Sequence, residues 1–254
     1  MKLTIIKVGG KVVEETESLN TLLDDFSAIA GNKILVHGGG RSATKLSERL
    51  GIEAKMVEGR RITDAETLNV VTMVYAGLVN KNIVAQLQKR KVNAIGFTGA
   101  DLDIITSVKR PVKTIDYGFV GDVVSVQTEV LMSLIEQGAV PGVSPIGHDG
   151  KGQLLNTNAD TIAGETAKAL ARLFDVTLIF CFEKKGVLRD ENDDDSVIPH
   201  ITRADFDALV ADGTIQGGMI PKLENSFQAI DAGVSRVIIT LASAIDGTQG
   251  TTIC

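Results

Sequence analysis

The sequence predicts an α/β fold in which a mostly parallel sheet is covered by helices on both faces. Short segments of β-branched and aliphatic residues alternate with segments whose apolar residues recur at the helical period, as in proteins with parallel sheets. Two early strand-like segments run directly into glycine-rich turns, which let the backbone turn tightly. With 254 residues, the chain can form one large α/β domain, or two lobes that share a sheet.

The first two strands and their turns indicate an anion site. The strands are predicted at residues 3–8 and 34–37, and their turns consist of Gly9 and Gly10, and of Gly38, Gly39 and Gly40. Such turns leave backbone N–H groups free to face an anion, most often phosphate. Lys7 lies near the end of the first strand, where open α/β sheets bind ligands. A lysine in that position can also simply reach solvent at the rim of the sheet.

The other elements follow in chain order from the same two patterns. A helical period occurs at residues 19–30, and further helices are predicted at 42–50, 129–137 and 161–173. The segment 217–222 opens a helix that reaches about residue 232, and Thr202 with Asp205 starts another. Strand patterns occur at 94–98, 140–144, 175–182 and 236–241, with a short closing strand after 247. Residues 108–126 are predicted as short strands and turns that form an excursion or a hairpin, and residues 147–152 as a flexible turn. Thr63 and Glu66 have capping-box spacing and introduce a long helix. Its apolar stripe faces either the body of the protein or a second subunit.

Composition limits the functional class. Apolar residues make up 44% of the chain and charged residues 23%, as in ordinary soluble globular proteins. The net charge of −6 and the 4% aromatic content argue against a nucleic-acid surface. Cys181 and Cys254 lack metal-ligand spacing, and Cys181 is expected in the core. The sequence has neither a signal-peptide pattern nor an uninterrupted apolar run of bilayer length, so we expect a cytoplasmic protein that binds no membrane.

Several later residues are candidates for the same anion site, and each has a simpler alternative. Pro221 is predicted as the first residue of a helix, which puts Lys222 in the first turn, where the helix dipole disfavours a cation. A bound anion would reverse that penalty, although a solvated lysine there costs only about a few tenths of a kcal/mol. Asp160 is otherwise explained as the N-cap of its helix, and Asn156 and Asn158 as turn formers.

The triple-glycine turn supports one competing interpretation. Residues 38–43 fit the loose Gly-x-Gly-x-x-Ala pattern of dinucleotide-binding enzymes, with Glu58 as the ribose-binding acid. The match is weak, because this turn follows the second strand and a triple glycine satisfies many patterns. The sequence contains neither a P-loop nor a Gly-x-Ser-x-Gly motif. A dinucleotide-dependent oxidoreductase therefore stays a rival, whereas the sequence argues against a P-loop enzyme.

The order of the motifs is more specific than any one of them. The successive segments are Ile-Ile-Lys-Val-Gly-Gly (residues 5–10), Val-His-Gly-Gly-Gly (36–40), Gly-Arg-Arg-Ile-Thr (59–63), Asn-Thr-Asn-Ala-Asp (156–160) and Gly-Met-Ile-Pro-Lys (218–222). They closely resemble the motifs of the amino-acid kinase family, and the third and fourth point to its acylglutamate branch. The resemblance extends from Leu3 to Thr251.

This resemblance implies a three-layer αβα sandwich with an open, mainly parallel sheet of about eight strands. An N-terminal lobe (about 1–174) would bind the acyl amino acid, and a C-terminal lobe (about 175–254) the nucleotide. The implied reaction is ATP-dependent phosphorylation of the side-chain carboxylate of N-acetyl-L-glutamate, the second step of arginine biosynthesis. N-succinylglutamate, another acid of the family, and a non-catalytic nucleotide-binding regulator stay as alternatives.

The resemblance also implies a role for each matching position. Lys7 and Lys222 would neutralise charge on the transferring γ-phosphoryl group, and Asp160 would hold both lysines in place. Arg61 and Asn156 would bind the substrate beside Gly39 and Gly40, whose N–H groups would donate to phosphate oxygens. The remaining nucleotide or phosphate contacts would come from Gly9, Gly10, Gly38, Asn158, Glu183, Gly218 and Met219. Mg²⁺ would bridge the β- and γ-phosphates with few or no protein ligands, so no metal-binding residues are expected.

The chain departs from the family pattern in three places. At residues 182–186, Phe-Glu-Lys-Lys-Gly stands where the family usually has an aspartate next to the nucleotide site. Residues 99–103 differ from the commoner glycine-rich segment and are expected to alter the acyl pocket. The chain also begins almost at its first strand, whereas arginine-inhibited hexameric members have an extra N-terminal helix. We therefore expect a homodimer that is insensitive to arginine.

Overall fold

The computed structural model describes residues 1–57 and 59–254, in which strands and helices alternate. The strands are β1 (Lys2–Val8), β2 (Asn32–His37), β3 (Met56–Val57), β4 (Arg60–Arg61), β5 (Ala94–Phe97), β6 (Ile105–Lys109), β7 (Gly121–Val126), β8 (Val140–Val143), β9 (Ile146–His148), β10 (Leu154–Asn156), β11 (Asp175–Phe182), β12 (His200–Ile201), β13 (Arg236–Leu241) and β14 (Thr251–Ile253). The helices are α1 (Gly10–Glu14), α2 (Thr16–Ala28), α3 (Gly40–Arg49), α4 (Ala65–Val71), α5 (Asn80–Lys89), α6 (Thr128–Glu136), α7 (Ala159–Leu170), α8 (Arg203–Ala211) and α9 (Met219–Asp231). A π-helical segment, Thr72–Val79, joins α4 to α5.

The central sheet confirms the predicted α/β fold. Among the described residues it has eight strands in the order β12-β14-β13-β11-β1-β2-β8-β5. The six strands from β13 to β5 are parallel, while β14 runs antiparallel to β13 and has β12 parallel beside it. β1 lies between β2 and β11 and pairs with β11 over its whole length, from Lys2 to Val8.

Side-chain alternation along β1 separates two hydrophobic cores, one on each face of the sheet. Leu3 and Ile5 belong to one core and Ile6 and Val8 to the other. Lys7 shares the face of Leu3 and Ile5, and this is the face covered by α7 and α9. The pattern therefore directs the one charged side chain in the second half of β1 towards these two helices.

A smaller sheet of β10-β9-β6-β7 stands beside the main one. Its β6 and β7 are antiparallel, so the hairpin alternative predicted for residues 108–126 is the correct one, although its first strand begins earlier than predicted, at Ile105. The predicted flexible turn at residues 147–152 is partly wrong, because Gly147 and His148 belong to β9 and pair with β10. The turn itself is shorter and is held by the Asp149 carboxylate, which accepts hydrogen bonds from the backbone N–H groups of Lys151 and Gln153.

The long helix runs from Ala65 to Lys89, and its N-cap lies one residue later in the chain than the N-cap of the predicted capping box. Asp64 is the N-cap, and its carboxylate accepts a hydrogen bond from Thr67 N, so the capping box of Thr63 and Glu66 is wrong. Of the described residues, this helix alone is long and apolar enough to pass a length-and-composition test for a membrane span. Its most apolar window has a mean hydropathy of 1.2 and is 44% buried within the structure, and buried core helices pass the same test. The helix is not an uninterrupted apolar run, and it passes because a window average tolerates interspersed polar residues.

Candidate active site

A cavity of about 660 Å³ lies where β1, β2 and β11 end. Its lining includes every residue predicted for the site of the amino-acid kinase resemblance except Gly218, which directly precedes α9. The predicted residues that line it are Lys7, Gly9, Gly10, Gly38, Gly39, Gly40, Arg61, Asn156, Asn158, Asp160, Glu183, Met219 and Lys222. The segment at residues 99–103, which was expected to alter the acyl pocket, is not part of this lining. Glu58, the acid of the dinucleotide interpretation, lies outside the described residues.

The two glycine turns meet backbone to backbone at one side of the cavity. Gly38 N donates a hydrogen bond of 3.1 Å to Val8 O, and a Cβ atom on Gly10 would lie 3.6 Å from Gly40 N. The first N–H groups of α3 follow directly, since this helix begins at Gly40. Free N–H groups at a helix N-terminus favour a bound anion. The predicted phosphate turns are therefore adjacent in space as well as similar in sequence.

A buried histidine fixes the second turn from behind. His37 Nε2 accepts a hydrogen bond of 3.0 Å from Asn80 Nδ2, which leaves Nδ1–H to donate to Gly38 O at 2.8 Å. The ring is fully buried, and burial lowers the pKa of His37 to about 4. His37 is therefore neutral at pH 7, and the hydrogen-bonded pair ties the turn to the long helix.

Lys7 and Asp160 form the central ion pair of the cavity. Lys7 Nζ lies 2.7 Å from Asp160 Oδ1, and only 8% of Lys7 is exposed. Asp160 is the second residue of α7 rather than its N-cap. The cap is Asn158, whose side-chain oxygen accepts a hydrogen bond of 2.7 Å from Asp160 N. With Asn158 as the cap, the Asp160 carboxylate is free to contact the lysine across the cavity.

Lys222 lies against the ring of Phe182. α9 begins at Met219, so Pro221 is its third residue and not, as predicted, its first. Lys222 Nζ is 3.8 Å from the centroid of the Phe182 ring, and Lys7 Nζ is 5.4 Å from the same centroid. Burial lowers the pKa of Lys222, while the carboxylate of Asp160 raises it and the ammonium of Lys7 lowers it. Two lysines that are 215 positions apart in the sequence thus meet at one aromatic ring.

Arg61 and Asn156 line another part of the cavity. Arg61 Nη2 donates to Gly40 O at 2.9 Å and to Thr44 Oγ1 at 2.7 Å. Its Nη1 is buried and has no hydrogen-bond partner among the described residues. Asn156 Nδ2 donates to Thr63 Oγ1 at 3.0 Å, which orients the amide. A buried guanidinium with an unused donor is suited to a carboxylate ligand.

Glu183, at the departure from the family pattern, contacts two cations at the rim of the cavity. Its carboxylate lies 3.2 Å from Lys11 Nζ and 3.2 Å from Arg41 Nη2. Three residues that were not predicted from the sequence also line the cavity, namely Lys11, Arg41 and Phe182. Lys11 and Arg41 directly follow the two glycine turns. Their position next to the glycine turns could have identified these two cations from the sequence. Phe182 carries no such signal, because its contacts come from distant elements.

In the part of the chain that the structure describes, no group of three His, Cys, Asp or Glu side chains is placed to hold a metal ion. The two cavity carboxylates of Asp160 and Glu183 both contact cationic side chains. The cavity therefore offers cations, N–H groups and a polar amide, which suits a ligand with several negative charges.

Comparison with known proteins decides the family. The model of the amino acid kinase family matches residues 2–241. The chain belongs to this family. Acetylglutamate kinase from Phocaeicola vulgatus is 74% identical over 252 residues, which cover 99% of this chain and 98% of the relative. Acetylglutamate kinase from Bacteroides thetaiotaomicron is 72% identical over the same length, with the same shares covered. Membership in a family of kinases identifies the chain as a kinase and not as a dinucleotide-dependent oxidoreductase.

Solved structures of the amino acid kinase fold agree with the architecture. The protein smu.665 from Streptococcus mutans aligns with a TM-score of 0.82 and 27% identity, over 99% of this chain and 98% of that one. Carbamate kinase from Giardia lamblia bound to AMP-PNP aligns with a TM-score of 0.71 over 99% of this chain and 98% of its own. At 16% identity, the second comparison supports the fold alone. The predicted eight-stranded αβα sandwich of this family is confirmed.

Proposed function

We propose that the chain transfers the γ-phosphoryl group of ATP to the side-chain carboxylate of N-acetyl-L-glutamate, the second step of arginine biosynthesis. The relatives that are more than 70% identical over nearly the full chain bear the name acetylglutamate kinase. The observation that carries the mechanism is the placement of Lys7 and Lys222 at one ring, beside the adjoining glycine turns. Two lysines and one aspartate leave a single positive charge in excess, which a migrating phosphoryl group would neutralise.

The chemistry requires positioning more than acid–base catalysis. A carboxylate is already a nucleophile at neutral pH, so no catalytic base is needed. The barrier comes from bringing two anions together and from the charge on the phosphoryl oxygens in the transition state. Lys7 and Lys222 would lower it by direct contact, Asp160 by holding Lys7, and the N–H groups of Gly10 and Gly40 by donating to phosphate oxygens.

We propose that Mg²⁺ would accompany ATP into the cavity, where the chain's own carboxylates already contact cationic side chains. Both cavity carboxylates contact lysine or arginine side chains, and the described residues offer no cluster of acidic ligands. The ion would supply further positive charge at the phosphates. Lys11 and Arg41 flank the same turns and would add to that charge on release from Glu183.

Arg61 and Asn156 are proposed to hold the amino-acid substrate. The unused Nη1 of Arg61 would bind its main-chain carboxylate, and the Asn156 amide its acylated nitrogen or carbonyl. Residues 1–174 would thus contribute the acyl amino acid site and residues 175–254 the nucleotide site. β1 and β11 adjoin in one sheet, which brings the two sets of residues to a common cavity.

One observation favours N-succinylglutamate as a second candidate substrate. Arg110 lines the same cavity, and its Nε and Nη2 donate to Asp122 Oδ1. Its Nη1 is buried and has no partner in the described part of the chain. A further carboxylate on the acyl group would find a donor there, which an acetyl group would leave unused.

We also propose that two copies of the chain pair through the long helix. Met73 and Leu78 on this helix are 53% and 58% exposed, which is high for large apolar side chains. A second copy would cover them, and light scattering at several protein concentrations tests this. A monomer at all concentrations would contradict the proposal.

A single assay separates the candidate substrates. ATP and Mg²⁺ are supplied with a panel of N-acyl amino acids, and the acyl phosphate is trapped as a coloured hydroxamate. Colour with N-acetylglutamate, and its loss in Lys222→Met, supports the proposed reaction. Preference for N-succinylglutamate, abolished selectively by Arg110→Gln, supports the second candidate. Absence of hydroxamate with every acid would contradict both.

A further inference from the structure

Phe182 contacts both lysines of the proposed phosphoryl-transfer site. It is the last residue of β11, and its ring centroid lies within 3.8 Å of Lys222 Nζ and 5.4 Å of Lys7 Nζ. Both distances are within the range of a cation–π interaction, about 6 Å. Building on the proposed kinase function, we propose that Phe182 is a positioning residue, which holds Lys222 beside Lys7 without neutralising its charge.

Lys222 needs such a partner because its neighbour is another cation. Lys7 has the Asp160 carboxylate at 2.7 Å. The Lys222 ammonium makes no hydrogen bond and no ion pair of its own within residues 1–57 and 59–254, so the ring face is its nearest attractive contact. The charged groups that act on it are Asp160 from α7, Lys7 from β1 and Glu183 after β11. The net effect on Lys222 is a lowered pKa, with burial as the main cause. Burial therefore already disfavours the charged form of Lys222, and loss of an attractive contact would disfavour it further.

An aromatic ring suits this position better than the other side-chain types. A carboxylate would attract Lys222 more strongly, but it would cancel the excess positive charge and compete with the phosphoryl group. An aliphatic side chain would fill the space without attracting the ammonium. The ring attracts a cation through its quadrupole and stays neutral. Phe182 is itself supported by Phe180, a buried ring whose centroid is 6.3 Å away at an interplanar angle of 20°.

The test removes the aromatic ring while keeping an apolar side chain at position 182. We expect Phe182→Leu to lower kcat by about 3- to 30-fold, the rate equivalent of one cation–π contact, with the KM for ATP nearly unchanged. Phe182→Tyr, which keeps the π face, should restore most of kcat. The matched control is Phe227→Leu, which removes a buried ring that also faces a cation, since Arg203 Cζ lies 4.2 Å from its centroid. Phe227 does not line the cavity, so its loss should leave kcat unchanged.

The pH profile separates positioning from packing. Loss of the ring in Phe182→Leu removes an attraction that favours charged Lys222, so the alkaline limb of kcat should move to lower pH. A purely structural role would lower the melting temperature without moving that limb. Parent-like kcat and pH profile in Phe182→Leu would overturn the proposal, as would equal losses in Phe182→Leu and Phe182→Tyr.

A second measurement avoids dependence on the leucine variant's folding. Ring-fluorinated phenylalanine at position 182 keeps the shape of the side chain and weakens the quadrupole, so kcat should fall with each added fluorine. Constant kcat across that series would overturn the inference. NMR titration of isotope-labelled Lys222 in the same proteins measures the pKa of its ammonium group and needs no turnover. It therefore tests the ring even if the parent enzyme phosphorylates no acid and the proposed function fails.

Discussion

Replacement of Lys7 by methionine is the sharpest test of the proposed chemistry. Methionine keeps an unbranched apolar stem of similar length inside the sheet and removes only the ammonium group. Lys7 is 8% exposed and contacts Asp160 at 2.7 Å, so the change acts on one ion pair and on the proposed contact with the phosphoryl group.

The expected loss is mostly in turnover. Removing one positioned donor to transition-state charge costs about 10²–10³ in kcat, or about 2.7–4 kcal/mol. Nucleotide affinity should change little, since the glycine turns and Lys222 stay in place. Stability should fall by about 1–2 kcal/mol, less than the 3–5 kcal/mol of a fully buried pair. The reason is that the Asp160 side chain is 21% exposed and keeps contact with water after the ammonium is lost.

Lys33→Met is the matched control at the opposite end of the sheet. Lys33 is also 8% exposed and donates to Ser27 O at 2.9 Å and Ile29 O at 2.8 Å, where α2 ends. Its loss leaves two carbonyl groups without this donor, and should cost about 1–3 kcal/mol of stability with kcat intact. Hydroxamate trapping with varied ATP gives kcat and KM for both variants, and urea unfolding gives their stabilities. The reasoning is refuted if Lys7→Met keeps kcat within about tenfold of the parent, or if both variants lose activity equally.

Three further predictions concern the surroundings of the same cavity. Arg61→Lys removes the free Nη1 donor, so the KM for the acylated amino acid should rise by about 10- to 100-fold with a smaller change in kcat, as initial rates with varied acid would show. Gly39→Ala puts a Cβ atom 2.8 Å from Tyr75 Cδ1, so the melting temperature and kcat should both fall, whereas Gly77→Ala, with nothing within 4 Å, should lower neither. The pKa of His37 is about 4 in the folded chain and 6.5 in its ordinary state, so the unfolded chain binds the extra proton between these values. Stability should therefore be complete above pH 6.5 and decline by up to about 3 kcal/mol towards pH 4, and urea unfolding across this range should show a flatter slope in His37→Gln.

The longer strands were the most predictable part of the fold. The predicted bounds of β11 and β13 are confirmed to the residue, and each consists of one charged residue followed by an apolar run that a single threonine interrupts. The capping box of Thr202 and Asp205 is also confirmed, with both reciprocal hydrogen bonds present. In these segments the local preference and the tertiary environment favour the same structure.

Helix starts were less predictable, since neighbouring residues compete for the same cap. Thr63 and Asp64 are both good N-caps, as are Asn158 and Asp160, and in each pair the structure uses the residue that local spacing did not favour. Tertiary contacts decide the choice, because the Asp160 carboxylate contacts Lys7 instead. The π-helical segment left no recognisable sign in the sequence either.

Site residues that belong to a sequence motif were predictable. Site residues that reach the cavity only through tertiary contacts were not. Lys7, Asp160 and Lys222 belong to ordered motifs, and they do meet in one cavity. Phe182 and Arg110 have no motif of their own, and their contacts join segments that are remote in the sequence. Such contacts depend on the order of the strands in the sheet, and the hydrophobic period of the sequence does not predict that order.

The position of β1 has a consequence for synthesis on the ribosome. This strand precedes all the other described strands in the chain, yet its full-length neighbour β11 ends only at residue 182. Until then, one edge of β1 has no strand beside it, and an apolar edge of this kind invites pairing between nascent chains. Chains that stall or are cut before β11 should aggregate rather than persist as a smaller folded unit, and holdase chaperones should be recruited during elongation.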